Sequence, residues 1–359
     1  MAAALRFGVG ARVECNVGAF LPGEVVALNY REPDWPPGKT APYQVKLADG
    51  RLIYAPFDDD RLIRRPRTYP LVEAARAGLG DLANALEKIK ANPDAFSESE
   101  QVGLDAPDDK GDSPLGVVSA RGDYAAAFLL LEAGASPSAK DGRGRIPLHH
   151  AVESGSMALV TALLNSGSPL DEKDYVPDML ASFSASGVDL PGNDTPLTLA
   201  IKCEEDDIAM TLVERGAMID VLDAYNCTPL AIALEEKNYD LAAVLLARGA
   251  DQVLGKNLLR TYSSKGNAHV VNMLLKSPRG DAPVNGKESS TGMTPLHLAA
   301  RRDASDVVRL LLAAGADPSL TNKSGQTPLT LAEANGKAEA VETLRAAAAP
   351  PGSSTAMVM

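Results

Sequence analysis

Cysteine, histidine, aromatics and long apolar runs are all scarce in this 359-residue sequence. The three cysteines, Cys15, Cys203 and Cys227, are too few and too scattered for a disulfide framework and show no pairing that would hold zinc. A reducing compartment follows, with the cytoplasm expected first and the nucleus second. No run approaches the roughly 20 apolar residues of a membrane-spanning helix. The start, MAAALRFGVGARVEC, has no hydrophobic region of the kind a secretory leader needs.

The four histidines leave little for catalysis. His149 and His150 are adjacent and cannot face one site from a helix. His269 is expected at the surface of a helix, and Cys15, alternating with Val13 and Val17, in a core. The acidic stretch DAPDDKGD lacks calcium-ligand spacing and a closing glutamate. GVG near the N-terminus and GRGR near residue 142 lack the strand-to-helix context of a phosphate loop. Glu204-Glu205-Asp206-Asp207 falls at a turn between helices, where acids favour the helix that follows. No catalytic set, cofactor or metal is expected, and the chain reads as a non-enzyme.

Charge is uneven. The net of −12 arises wholly beyond residue 66, because residues 1–66 hold nine Lys/Arg against eight Asp/Glu. An acidic surface repels phosphate backbones and favours basic protein partners, so nucleic acid is not an expected ligand of that region.

That region is periodic. Apart from Pro169-Leu170, which follows the glycine ending one copy, proline before leucine recurs at Pro70, Pro114, Pro147, Pro196, Pro229, Pro295 and Pro328, at intervals of 44, 33, 49, 33, 66 and 33. The 66 hides one further copy, NLLRTYSSKGNAHVVNMLLK, with Leu258 in the proline position; the 44 and 49 exceed 33 by insertions of 11 and 16. Gly134, Gly167, Gly216, Gly249 and Gly315 each lie 20 residues after their proline, and Gly78, Gly122, Gly155, Gly266 and Gly336 lie eight after the proline or Leu258. Alanine holds the fourth place in six of eight copies, where a small residue lets neighbouring helices approach closely. Each unit reads as a helix, a turn and a second helix: proline suits the first helical position and glycine the left-handed residue that ends a helix. One such hairpin cannot bury its own apolar face, so the units must stack.

With TPLHLAA, LLLAAGAD and the variants IPLHHAV, TPLTLAI and TPLAIAL, the stretch from about residue 70 to 348 resembles ankyrin repeats. The resemblance implies an α-solenoid of about eight helix hairpins, with a concave face and finger-like connectors that bind proteins. His149 and His297 stand in the repeat's histidine position, where a structural hydrogen bond is expected. The copy at Leu258 lacks Thr, Pro and the terminal Gly and is expected to bend or loosen the stack.

Before residue 66 the period changes to two. RVECNV and EVVALNY read as strands, YQVKLADGRLIY as a hairpin turning at Asp49-Gly50, and RLIRR as a last short strand. So many short strands predict a small all-β barrel, and the glycine and strand spacing is similar to Tudor-like barrels. Seven of the sixteen aromatics lie between Phe7 and Phe57.

Two surfaces are therefore candidates. Tyr30, Trp35, Tyr54 and Phe57, with Asp34 or Asp58 beside them, could converge on a methylammonium group by cation–π attraction. In the 16-residue insertion near 175–191, Tyr175, Val176, Met179, Leu180 and Phe183 are apolar groups that a solvated loop does not need; they serve either a partner contact or, folded back, as cover for the neighbouring finger. The expected organisation is a barrel over 1–66, a solenoid over 70–348 with insertions near 96–109 and 175–191, and a disordered tail over 349–359. The expected function is that of a monomeric protein–protein interaction scaffold or adaptor. The alternative is a chromatin-type reader of methylated lysine or arginine.

Overall fold

The computed structural model describes residues 5, 7, 9–17, 20–30, 40–56, 63–64, 69–91, 103–175, 192–278 and 283–348. The chain divides into two compact units, residues 1–117 with 132–136, and residues 118–131 with 137–359.

The first unit opens with an antiparallel sheet of β1 (Arg12–Asn16), β2 (Phe20–Tyr30), β3 (Ala41–Leu47), β4 (Leu52–Ala55) and β5 (Ile63–Arg64), in the order β4-β3-β2-β1-β5. The period-two pattern places Val13, Cys15, Val25, Tyr43, Val45 and Leu47 in one core, with Phe7 edge-on to Tyr43 at 5.6 Å. Burial pushes the Cys15 thiol up to about 11, as befits a core cysteine. Gly23 is required where β3 crosses β2: a Cβ there would lie 2.6 Å from Val45 Cγ1. The β3–β4 turn is the expected one, with Gly50 at φ 87° and the N–H of Arg51 donating to Asp49 Oδ1 at 3.0 Å.

The barrel expectation needs correction. Among the described residues the outer strands β4 and β5 do not pair with each other, so the sheet is open. Four residues of β4 and two of β5 are too few to close it, and a cleft lined by Cys15–Val17 and Leu52–Pro56 separates β4 from β1.

Sixteen helices follow among the described residues, in eight hairpins. They are α1 (Pro70–Ala77) with α2 (Leu79–Ala91), α3 (Pro114–Ala120) with α4 (Tyr124–Glu132), α5 (Pro147–Glu153) with α6 (Met157–Asn165), and α7 (Pro196–Lys202) with α8 (Asp206–Glu214). After these come α9 (Pro229–Glu235) with α10 (Tyr239–Ala247), α11 (Leu258–Lys265) with α12 (Ala268–Leu275), α13 (Pro295–Arg302) with α14 (Ser305–Ala313), and α15 (Pro328–Ala334) with α16 (Ala338–Ala348). Every proline of the register begins a helix, and Leu258 begins α11. The hydroxyls of Thr195, Thr228, Thr294 and Thr327 cap α7, α9, α13 and α15. The glycines 20 residues after the proline all have φ between 84° and 96°, in the left-handed region that ends a helix.

The turn eight residues after the proline is also left-handed, and three copies place other residues there: Glu204 at φ 59°, Lys237 at 63° and Asp303 at 64°. Asp303 is compensated, since its Oδ1 accepts the N–H of Ala340 at 2.9 Å. Exposed Lys237 is not, so Lys237→Gly is expected to stabilise the protein by about 1 kcal/mol as the Cβ clash is relieved. Thermal melts of the two proteins check this, and an unchanged or lower midpoint would contradict it.

Leu115, Leu148, Leu197, Leu230 and Leu296, each following a register proline, are fully buried. Leu329 is only half-buried, because no described hairpin follows α15–α16 to cover it. In the second unit α5 packs on α7, α7 on α9, α11 on α13 and α13 on α15, with α6, α8 and α10 in a second row and α12, α14 and α16 continuing it. The same close approach is not made between α9 and α11, nor between α10 and α12. The difference tracks the fourth residue of the first helix, a fully buried alanine at Ala151, Ala200, Ala233, Ala299 and Ala332 but a tyrosine at 262.

Candidate protein-interaction surface

Three connectors between hairpins are built on an aspartate six residues before the proline, and a fourth on an asparagine there. Asp108 Oδ1 accepts the N–H groups of Lys110 and Asp112 at 2.8 and 3.0 Å. Asp141 Oδ1 accepts those of Arg143 and Arg145 at 2.7 and 2.9 Å, and Asp223 Oδ1 those of Tyr225 and Cys227, both at 2.9 Å. Asn322 Oδ1 does the same for Ser324 and Gln326 at 2.9 and 3.0 Å. A short side-chain oxygen that takes two amides closes the finger turn without help from a strand ladder. In the fourth copy the insertion separates Asp174 from Pro196, yet Asp174 Oδ1 still accepts the N–H of Asp194 at 2.7 Å. Six residues before Pro114, Pro147, Pro229 and Pro328 the sequence has Asp108, Asp141, Asp223 and Asn322, whereas Asp174 lies 22 before Pro196.

A second set joins successive fingers: Asp105 accepts the N–H of Ser136, Asp171 that of Met218, Asp220 that of Asp251 and Asn285 that of Asp317, at 2.7 to 2.8 Å. Much of the acidic excess is therefore fixed in place by backbone amides.

Basic side chains on or just before the first helices reach these acids. In the first unit Arg76 Nη2 meets Asp108 at 2.6 Å and Asp112 at 2.8 Å. In the second, Arg145 bridges Glu153 at 2.8 Å and Asp174 at 3.4 Å, His150 meets Asp141 at 3.0 Å, and Lys202 lies between Asp194 at 2.7 Å and Asp223 at 3.0 Å. Burial alone would lower the Lys202 ammonium, but its two carboxylates outweigh that and hold its pKa above the ordinary value. Burial likewise works to raise Asp223, and the N–H of Cys227 with the Lys202 charge holds it below the usual carboxylate range.

His149 and His297 make the expected structural hydrogen bond at their helix starts and, beyond that expectation, tie neighbouring copies. The N–H of Ile146 donates to His149 Nδ1 at 3.2 Å, which leaves the proton on Nε2 to donate to Asp194 O at 3.2 Å in the next copy. His297 repeats the arrangement, accepting from Thr294 N at 3.3 Å and donating to Gln326 O at 3.0 Å.

On this frame stand exposed apolar groups. Tyr175 is 53% exposed and lies against the third finger, where a Cβ on Gly144 would come within 2.3 Å of its ring. Tyr225 is 51% exposed, with Lys202 Nζ 5.8 Å from its ring centroid. Met218 and Val253 are exposed on the flanking connectors. Of the insertion residues singled out from the sequence, Val176, Met179, Leu180 and Phe183 lie outside the described residues.

Of the aromatic set in the sheet, Trp35 and Phe57, like Asp34 and Asp58, lie outside the described residues. Tyr30 pairs opposite Ala41 and Tyr54 opposite Gln44, positions of opposite parity on β3, so the register assigns these two rings to opposite faces. Cys227 and Cys15 are buried and Cys203 is exposed. Among the described residues no helix is long and apolar enough to cross a membrane.

Models of ankyrin repeats match residues 143–175, 172–256 and 258–353. Among curated proteins the chain is similar to the mouse (Mus musculus) NF-kappa-B inhibitor delta, 30% identical over 61% of this chain and 62% of that protein. It is also similar to human (Homo sapiens) Rabankyrin-5, 29% identical over 54% of this chain and 14% of that protein. The chain thus spans less than two thirds of the length of these relatives. A solved structure, the ankyrin repeat domain of Bcl-3, described as a member of the IkappaB protein family, aligns with 78% of this chain and all of its own at 25% identity, with a TM-score of 0.46. With the repeat models covering more than half of its length, the chain belongs to the ankyrin-repeat family.

Proposed function

We propose that the protein is a non-enzymatic interaction scaffold whose finger side, around the fourth to sixth copies, receives a basic segment of a partner protein. The observation that carries this is that exposed Tyr175 and Tyr225 stand on connectors whose carboxylates, Asp171, Asp220 and Asp223 among them, accept backbone amides. Carboxylates already held in place need no reorganisation when a cation arrives, while tyrosine rings bury large area at small entropy cost. Val176, Met179, Leu180 and Phe183 are proposed to extend this surface from Tyr175. Family membership supports the protein-binding role, as does the name of one relative, an inhibitor of NF-kappa-B. The partner is protein rather than nucleic acid, and the scaffold acts as a monomer within the cell. The reader alternative gains no support from the relatives or from the placement of Tyr30 and Tyr54.

Affinity capture with quantitative mass spectrometry, run with wild type and with Tyr225→Ala at low and moderate salt, tests this. Bound proteins are expected to carry basic segments, to weaken with salt, and to fall about tenfold with Tyr225→Ala at an unchanged melting temperature. An identical bound set for the two proteins would sink the proposal. Deleting residues 176–190 should remove the same partners.

A further inference from the structure

The junction between the fifth and sixth hairpins differs chemically from the other junctions of the second unit. Where neighbouring first helices meet over a buried alanine, α11 presents Tyr262, which is 4% exposed. Its ring is within electrostatic reach of Glu235 at the end of α9 and Tyr239 at the start of α10. In the second row, Tyr239 meets His269 of α12 edge-on at 4.7 Å. Aromatic side chains therefore fill the space that closely spaced backbones occupy elsewhere. On the finger side the chain does meet its neighbour: Gly255, at φ 71°, lies so near Asn226 O that a Cβ would come within 2.2 Å.

The sixth copy also carries an excess of unpaired polarity. Among the described residues four buried side-chain polar atoms have no hydrogen-bond partner, and three of them are Gln252 Oε1, Tyr262 Oη and Ser277 Oγ. A buried group that gave up water without gaining a partner weakens the element that holds it. In a solenoid, cooperativity between copies is carried by the interface between neighbours, so a wide junction beside a weakened copy separates what lies on its two sides.

We propose that the boundary between α9–α10 and α11–α12 is a built-in break in cooperativity, so that hairpins α5–α10 and α11–α16 open and bend as two blocks joined by side chains (Tyr262, Tyr239 with His269, Lys256 with Glu235) and by the finger contacts of Asn226 with Gly255 and Asp220 with Asp251. A partner lying along both blocks would then have to fix the junction, whereas one confined to a single block would not. This does not depend on the partner chemistry proposed above.

Hydrogen exchange read by mass spectrometry on the full chain tests it. Protection is expected to change about tenfold between residues 247 and 258 rather than grading smoothly along the stack. Tyr262→Phe keeps the ring and removes the unpaired hydroxyl; it should slow exchange over 258–313 by about fivefold to tenfold and leave 196–247 within about twofold of wild type. Leu230→Ala, in α9, should speed exchange over 196–247 without spreading past residue 258. No step at the junction, or effects of either substitution that cross it undiminished, would overturn the proposal.

Discussion

Lys202→Met is expected to cost about 3 kcal/mol at neutral pH, and to cost much less at pH 5 or below. The ammonium lies between the carboxylates of Asp194 and Asp223, whose side chains are 3% and 2% exposed. Methionine keeps much of the stem but leaves two buried like charges facing each other. The cost sits at the low end for a broken buried pair because the Lys202 side chain is one-quarter exposed and partly screened. The sign with pH follows from linkage. In the wild type Asp223 is held below its ordinary pKa, so its contribution is present above the unfolded value of about 4 and is lost as pH falls through the folded one. Without Lys202 one carboxyl is pushed up instead, so acidification that harms the wild type relieves the variant. Urea midpoints at pH 7.5 and pH 5 decide the matter. A deficit of equal size at both would mean that packing, not charge, was lost.

That cluster shows where the sequence was informative and where it was silent. The proline and glycine spacing revealed the hairpins because both residues act locally: a fixed φ at a helix start and a left-handed residue after its end depend on nothing distant. The finger aspartates were equally legible, since Asp108, Asp141 and Asp223 keep the same offset from their prolines, but an aspartate is common and its two amide bonds do not show in a string. The pairing of Lys202 with Asp194 and Asp223 joins residues 8 and 21 positions away and exists only once copies stack. Closure of the sheet failed for a similar reason. Alternation fixed which side chains share a core, as Val13, Cys15 and Val45 do, yet says nothing about whether two short outer strands will meet. Tyr262 was visible as a break in an alanine column, and its consequence needed the helix spacing.

The second large effect concerns the two histidine ties and acid. Each ring is neutral with the proton on Nε2, because Nδ1 already accepts a backbone N–H, from Ile146 at His149 and from Thr294 at His297. Protonating Nδ1 would set one N–H against another inside the stack. Burial pushes both pKa values below the ordinary histidine value, and hydrogen bonds to Asp194 O and Gln326 O offset this only in part. A depressed histidine means that the unfolded chain takes up the proton first. Stability is therefore whole above about pH 6.5 and falls as pH drops through the unfolded value toward the folded ones. This window lies above the one set by the depressed aspartates, so the two can be separated. Wild-type melting temperature should decline between pH 7.5 and pH 5.5, and the double substitution His149→Gln and His297→Gln should flatten that decline while lowering the plateau. His149→Ala should cost about 3 kcal/mol at pH 7.5, since the N–H of Ile146 and the carbonyl of Asp194 both lose their partner. If the double variant kept the wild-type slope between pH 7.5 and pH 5.5, other groups would be responsible and the histidines would be packing residues alone.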